Sequence, residues 1–110
     1  EIDGLDDVCK HYLAFIAEKA VGTARWRETN KGIKLERFAV LKEYRNKGIG
    51  LALLKRILSN IDKKNKTIYL HAQADAVTLY LKAGFKIVGK AFEEAGIKHF
   101  KMELTNLLSD

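Results

Sequence analysis

The stretch from Ile49 to Ile61 constrains the fold more than any other part of the chain. Ile49, Leu53, Leu54, Ile57, Leu58 and Ile61 recur at three- and four-residue steps, while Lys55, Arg56 and Asn60 take the other side. That is the pattern of a helix with one buried face. A strand-like run, Ile33 to Leu41, precedes it and another, Thr67 to Ala72, follows at once. A strand, a helix and a second strand close as a parallel pair through a right-handed crossover. Asp62 ends the apolar pattern, and Lys63-Lys64-Asn65-Lys66 supplies the basic and turn-forming residues that suit a helix C-terminus.

Upstream, His11 to Ala17 and Val21 to Arg27 read as two antiparallel strands joined at a turn near Glu18-Lys19. Thr29-Asn30-Lys31-Gly32 has turn chemistry and leads into the strand at Ile33, so the first three strands form a meander. Downstream, Asp75 to Ala83 places Ala76, Leu79, Tyr80 and Ala83 on one helical face, with Asp75 as N-cap and Gly84 as the stop. Phe85 to Val88 and Lys98 to Leu104 read as closing strands joined through Glu93-Glu94-Ala95-Gly96. The expected fold is α/β: a mixed, mostly antiparallel sheet with a central parallel strand pair, in the order βββαβαββ.

The 110 residues suffice for one domain with a core of its own, without disulfides or a structural metal. Cys9 is the single cysteine and has no partner in the chain, and no His/Cys cluster has metal-ligand spacing, so no metal site is expected. A reducing, cytoplasmic setting is the default. No apolar run approaches the ~20 residues of a bilayer span, and Glu1-Ile2-Asp3-Gly4 lacks the features of a signal peptide. The net charge of +6 favours an anionic ligand. Charge alone does not separate a phosphate-rich cofactor from nucleic acid.

Tyr44-Arg45-Asn46-Lys47-Gly48-Ile49-Gly50 lies where a strand turns into the long helix. Unpaired N–H groups and the positive end of the helix dipole meet there, so a pyrophosphate suits both geometry and charge. The same G-x-G also serves close packing of helix on strand. It lacks the Gly-Lys-Ser/Thr ending of a nucleotide P-loop, and Leu53 stands where a dinucleotide-binding loop has its third glycine.

Phe38-Ala39-Val40 followed by Arg45-Asn46-Lys47-Gly48-Ile49-Gly50 resembles the acetyl-CoA signature of the GNAT superfamily of N-acetyltransferases, R/Q-x-x-G-x-G/A after a hydrophobic strand end. Ala76 to Phe85 resembles that family's A-x-x-x-Y-x-x-x-G-F segment. Val21 to Arg25, Leu70 to Gln73 and Phe92 to Leu104 extend the likeness, in the manner of the ElaA-type branch, over nearly the whole chain. The resemblance implies one GNAT domain over residues 1–110. It also implies that the strand and one or two helices with which family members normally begin are not part of this sequence, which starts without methionine.

The activity implied is transfer of an acetyl group from acetyl-CoA to an amine, by direct attack of the amine on the thioester. The cofactor-binding residues implied are Phe38, Ala39, Val40, Arg45, Asn46, Lys47, Gly48, Ile49, Gly50, Gln73 and Tyr80. Glu36, on the same face as Phe38 and Val40 by period-two counting, is the candidate general base. A backbone N–H near Phe38 or Val40 is the oxyanion donor that the family pattern implies. Tyr80 is the candidate acid for the departing thiolate. His71 and His99 are further candidates for acceptor recognition or proton transfer, and Arg25 and Trp26 either face an acceptor or pack.

The expected partner is a small-molecule or peptide amine acceptor, with a homodimer possible and no membrane. Two other readings stay open: a non-catalytic acyl-CoA-binding module, and a basic nucleic-acid-binding surface of Arg25, Arg27, Lys31, Lys34 and the Lys63–Lys66 run. No recognition helix, RNP-like strand or zinc spacing supports the nucleic-acid reading.

Overall fold

A computed structural model describes residues 9–61 and 66–105. β1 (Cys9–Ile16), β2 (Lys19–Thr29) and β3 (Gly32–Val40) form the antiparallel meander. α1 (Ile49–Asn60) crosses to β4 (Ile68–Gln73), which pairs parallel with β3. α2 (Val77–Lys82), β5 (Phe85–Ile87), β6 (Phe92–Glu94) and β7 (Ile97–Leu104) complete the fold. The sheet runs β1-β2-β3-β4-β7-β5, with β6 also on β7. The mixed sheet with one central parallel pair is the expected one.

The order is βββαβαβββ, one strand longer than the sequence implied. Phe92–Glu94 makes a hairpin with β7 through Ala95 and Gly96, both at positive φ (54° and 76°). The expected connection at Glu93-Glu94 is therefore strand. Asp75 sits inside a short 3-10 turn (Ala74–Ala76), and the residue that caps α2 is Ala76, with no side-chain hydrogen bond. Gly84 ends α2 as expected, at φ 100°. Asp62 to Asn65, the expected C-terminal signal of α1, lie outside the described residues.

The core lies between one face of the sheet and the two helices. Leu53, Leu54 and Ile57 of α1 are buried against Ala24, Ile33, Leu35, Ile68, Leu70, Ala72 and Met102, with Tyr80 and Phe85 at one end. Trp26 packs on this side as well. Gly22 brings α1 close to β2: a Cβ there would stand 3.1 Å from Ile49 Cγ2 and 3.2 Å from Leu53 Cδ1. Opposite α1, the alternating residues Arg25 and Arg27, Lys34 and Glu36, Tyr69 and His71, and His99 and Lys101 line the other face of the sheet.

One irregularity decides how β3 meets the site. The β2–β3 register shifts between Thr23 and Arg25, and Arg37 adopts φ 58°. This bulge inserts one residue and reverses the alternation beyond it. Phe38 therefore packs on the core side with Tyr80, while Glu36 stays on the opposite face with Arg25 and Arg27. Period-two counting, which put Glu36 with Phe38 and Val40, fails at this residue.

Candidate active site

β3 and β4 are paired only from Ile33/Ile68 to Leu35/Leu70, and their C-terminal halves then separate. Each half keeps its outer partner: Ala39 and Val40 pair with β2, and His71 to Gln73 with β7. Leu41 N–H donates to Val21 O at 2.9 Å. By alternation Ala39 also turns its peptide groups toward β2, and Phe38 and Val40 turn theirs toward the gap. Ile33 N–H donates to Thr67 O, so the same counting along the parallel ladder turns Gln73 toward the gap from β4. The result is an open cleft of about 1160 Å³ whose walls are two strand edges. Backbone groups on an unpaired strand edge can take the donors and acceptors of an added chain.

The cleft ends at the N-terminus of α1. Gly48 is the N-cap at φ 84°, no side chain caps the helix, and the first helical bond runs from Ala52 N–H to Gly48 O. The N–H groups of Ile49, Gly50 and Leu51 thus have no intrahelical acceptor. Asn46, at φ 63°, bends the preceding loop, and Arg45 Nε donates to Val40 O at 2.9 Å, tying the loop to the end of β3. The glycines have different reasons. Gly48 takes a left-handed conformation with nothing near a Cβ, whereas a Cβ on Gly50 would touch only Leu79 Cδ2, at 3.4 Å. The close packing that G-x-G can serve is supplied in this protein by Gly22. Gly50 keeps the mouth of the cleft open.

Phe38, Ala39, Val40, Arg45, Asn46, Gly48, Ile49, Gly50, Gln73, Tyr80 and Glu36 all line this cleft, whereas Lys47 is exposed and does not. Tyr80, 7% exposed, stands edge-on to Phe38 with ring centroids 5.8 Å apart. Burial pushes its phenol up to about 12, so it is protonated throughout the working range. Its hydroxyl has no protein partner among the described residues. Glu36 Oε2 accepts hydrogen bonds from Arg25 Nε at 2.6 Å and Arg27 Nε at 2.9 Å. Burial alone would raise its pKa, but the two guanidinium groups outweigh that and hold it below the usual carboxylate value.

A second group of residues joins the cleft opposite α1. His71 Nδ1 lies 3.2 Å from Glu94 Oε1, and the His71 ring stands edge-on to Phe92, which stacks on His99. His99 is buried, with Nδ1 2.8 Å from Ile97 O. Burial, and then the charge of Lys34, lower the pKa of His71 in spite of Glu94. The neutral ring donates from Nδ1 to Glu94 and keeps a lone pair on Nε2. Glu94 and Phe92 had no place in the sequence-based site, because their alternation shows only once the three residues 92–94 are known to be a strand.

These features are those of a known family. The chain matches the acetyltransferase (GNAT) domain over residues 5–106, and it belongs to that family. It is 38% identical over 104 residues to the uncharacterized N-acetyltransferase YjcF of Bacillus subtilis, spanning 93% of this chain and 74% of that protein. Among solved structures it resembles Escherichia coli ElaA, with a TM-score of 0.78 and 25% identity over 88% of this chain and 68% of that one. It also resembles Arabidopsis thaliana Naa50 in complex with the bisubstrate analogue CoA-Ac-MVNAL, with a TM-score of 0.70 and 28% identity over 86% and 72% of the two chains. No helix among the described residues is long and apolar enough to cross a membrane.

Proposed function

We propose that the protein transfers an acetyl group from acetyl-CoA to an amine. The observation that carries this reading is the coincidence, in one cleft, of two separated strand edges, an uncapped helix N-terminus and a buried tyrosine. The peptide groups of Phe38 and Gln73 and the N–H of Val40, all turned toward the gap, suit the amide-bearing pantetheine arm, which is an extended chain with strand-like donors and acceptors; the Val40 carbonyl is already taken by Arg45. The α1 N-terminus with Asn46, Gly48 and Gly50 suits the pyrophosphate. No metal enters the scheme.

The amine must be neutral to attack, and a lysine-like amine has a pKa of about 10.4. Glu36 is a poor proton acceptor, since two guanidinium groups bonded to its Oε2 hold its pKa below the usual carboxylate value. His71 is better suited: it is uncharged at neutral pH, oriented by Glu94 and set in the cleft wall. The nitrogen attacks the thioester carbon and its proton passes to His71. The carbonyl oxygen is stabilised by a backbone N–H of the β3 edge at Phe38 or Val40. As the C–S bond breaks, Tyr80 O–H gives its proton to the leaving sulfur.

Tyr80→Phe tests this reading against that of a module which binds acyl-CoA without reacting it. The substitution keeps the ring packing and removes the proton. Turnover should fall while acetyl-CoA affinity stays within about twofold, since roughly 0.4 kcal/mol would be lost at most. Unchanged turnover would remove Tyr80 from the chemistry.

A further inference from the structure

Three cations converge on one carboxylate on the sheet face opposite α1. Besides Arg25 and Arg27, Lys34 Nζ lies 3.8 Å from Glu36 Oε1. The four side chains are only 14–29% exposed, and among the described residues two of the positive charges have no second carboxylate beside them. Arg27 and Lys34 face each other directly across β2 and β3, an arrangement of like charges that destabilises a sheet. One arginine would satisfy Glu36. A second arginine and a lysine are a cost to the fold that an anionic ligand would offset, and among the described residues the terminal nitrogens of Arg27 have no acceptor.

The position of the cluster identifies the ligand. Lys34 and Glu36 line the cleft together with His71 and Glu94, Arg25 and Arg27 are not lining residues themselves but adjoin the cleft through their hydrogen bonds to Glu36, and Glu36 and His71 follow directly on the Leu35–Leu70 pair. Strand spacing then sets the cation cluster about 5–10 Å from the imidazole. The pyrophosphate end is excluded: Val40, where the loop begins, is four residues further on, roughly 13 Å along the strand.

We propose that the acceptor is an amine bearing a carboxylate, which sits on Arg25, Arg27 and Lys34 while the amine nitrogen faces His71. This rests on the acetyltransferase reading. Polyamines are disfavoured by the same charges.

The test uses three acceptors of one length: aminocaproate, its amide aminocaproamide, and hexamethylenediamine, each with acetyl-CoA, read as thiol release. The carboxylate should exceed the amide in kcat/KM by on the order of tenfold, the loss expected when a charge-assisted hydrogen bond is removed, and the diamine should be weakest. Arg27→Gln should abolish the difference between carboxylate and amide and leave the KM for acetyl-CoA unchanged. Titration of the CoA-bound protein with the same three compounds should give the same order without turnover. Equal use of carboxylate and amide, preference for the diamine, or a carboxylate preference that survives Arg27→Gln would overturn the proposal while leaving the acetyltransferase reading intact. Acetylation of no amine at all would remove that reading and this one with it.

Discussion

Gly50 separates a glycine required by packing from one required by a ligand. Gly50→Ala adds a Cβ that meets only Leu79 Cδ2, at 3.4 Å, an ordinary contact with the end of a flexible side chain. In exchange α1 loses its second-residue glycine, which is worth up to about 1 kcal/mol of helix stability. For a domain of this size that is a rise of roughly 4–8 °C in Tm at most. Gly50→Gln keeps the helix-forming character but sends a long side chain toward the cleft mouth, and should weaken acetyl-CoA binding by about tenfold or more, ~1.4 kcal/mol. Gly48→Ala is the contrast: its φ of 84° makes alanine cost roughly 1–2 kcal/mol of stability. Thermal melts and calorimetric titrations of the three variants give both quantities. A fall in Tm for Gly50→Ala, or acetyl-CoA affinity for Gly50→Gln within twofold of the parent, would refute the reasoning.

His71→Gln should lower kcat by roughly 10²–10⁴-fold at neutral pH with acetyl-CoA affinity retained, and exceed the effect of Glu36→Gln; the reverse ranking in steady-state kinetics would return the base to Glu36. Because the pKa of His71 is lowered, the acid limb of kcat/KM should lie below the ordinary histidine value of about 6.5, and His71→Gln should remove that limb. Glu36 bears on stability. Its folded pKa is depressed, so its contribution is present above the ordinary carboxylate range and is lost as pH falls through the folded value, a slope that Glu36→Gln should reduce in acid unfolding. Leu54→Ala, at a fully buried position of α1, should cost about 2–5 kcal/mol in denaturant unfolding.

The parallel pair and α1 were legible in the sequence because a single helix-period run between two strands admits few closures. The place of the glycine loop at the N-terminus of α1 was legible for a related reason: its signal is local to six residues. What escaped depends on residues that are distant in sequence. The bulge at Arg37 carries no turn residue to announce it, since its left-handed backbone is set by the register against β2, and one inserted residue was enough to misassign the face of Glu36. The three-residue β6 is too short to show a period, and without it Glu94 and Phe92 could not be brought to His71. Gly22 reads as an ordinary strand glycine until α1 is laid across it.

Acetyl-CoA held in the gap between β3 and β4 should raise the unfolding temperature, which thermal melts with and without the ligand measure. At one hundred times Kd, a ligand bound only by the folded state adds about 2.7 kcal/mol, a rise in Tm on the order of 10 °C, and Gly50→Gln should need a proportionately higher concentration for the same rise. A cooperatively melting protein whose Tm does not move at millimolar acetyl-CoA, or moves equally in the parent and in Gly50→Gln, would contradict that placement.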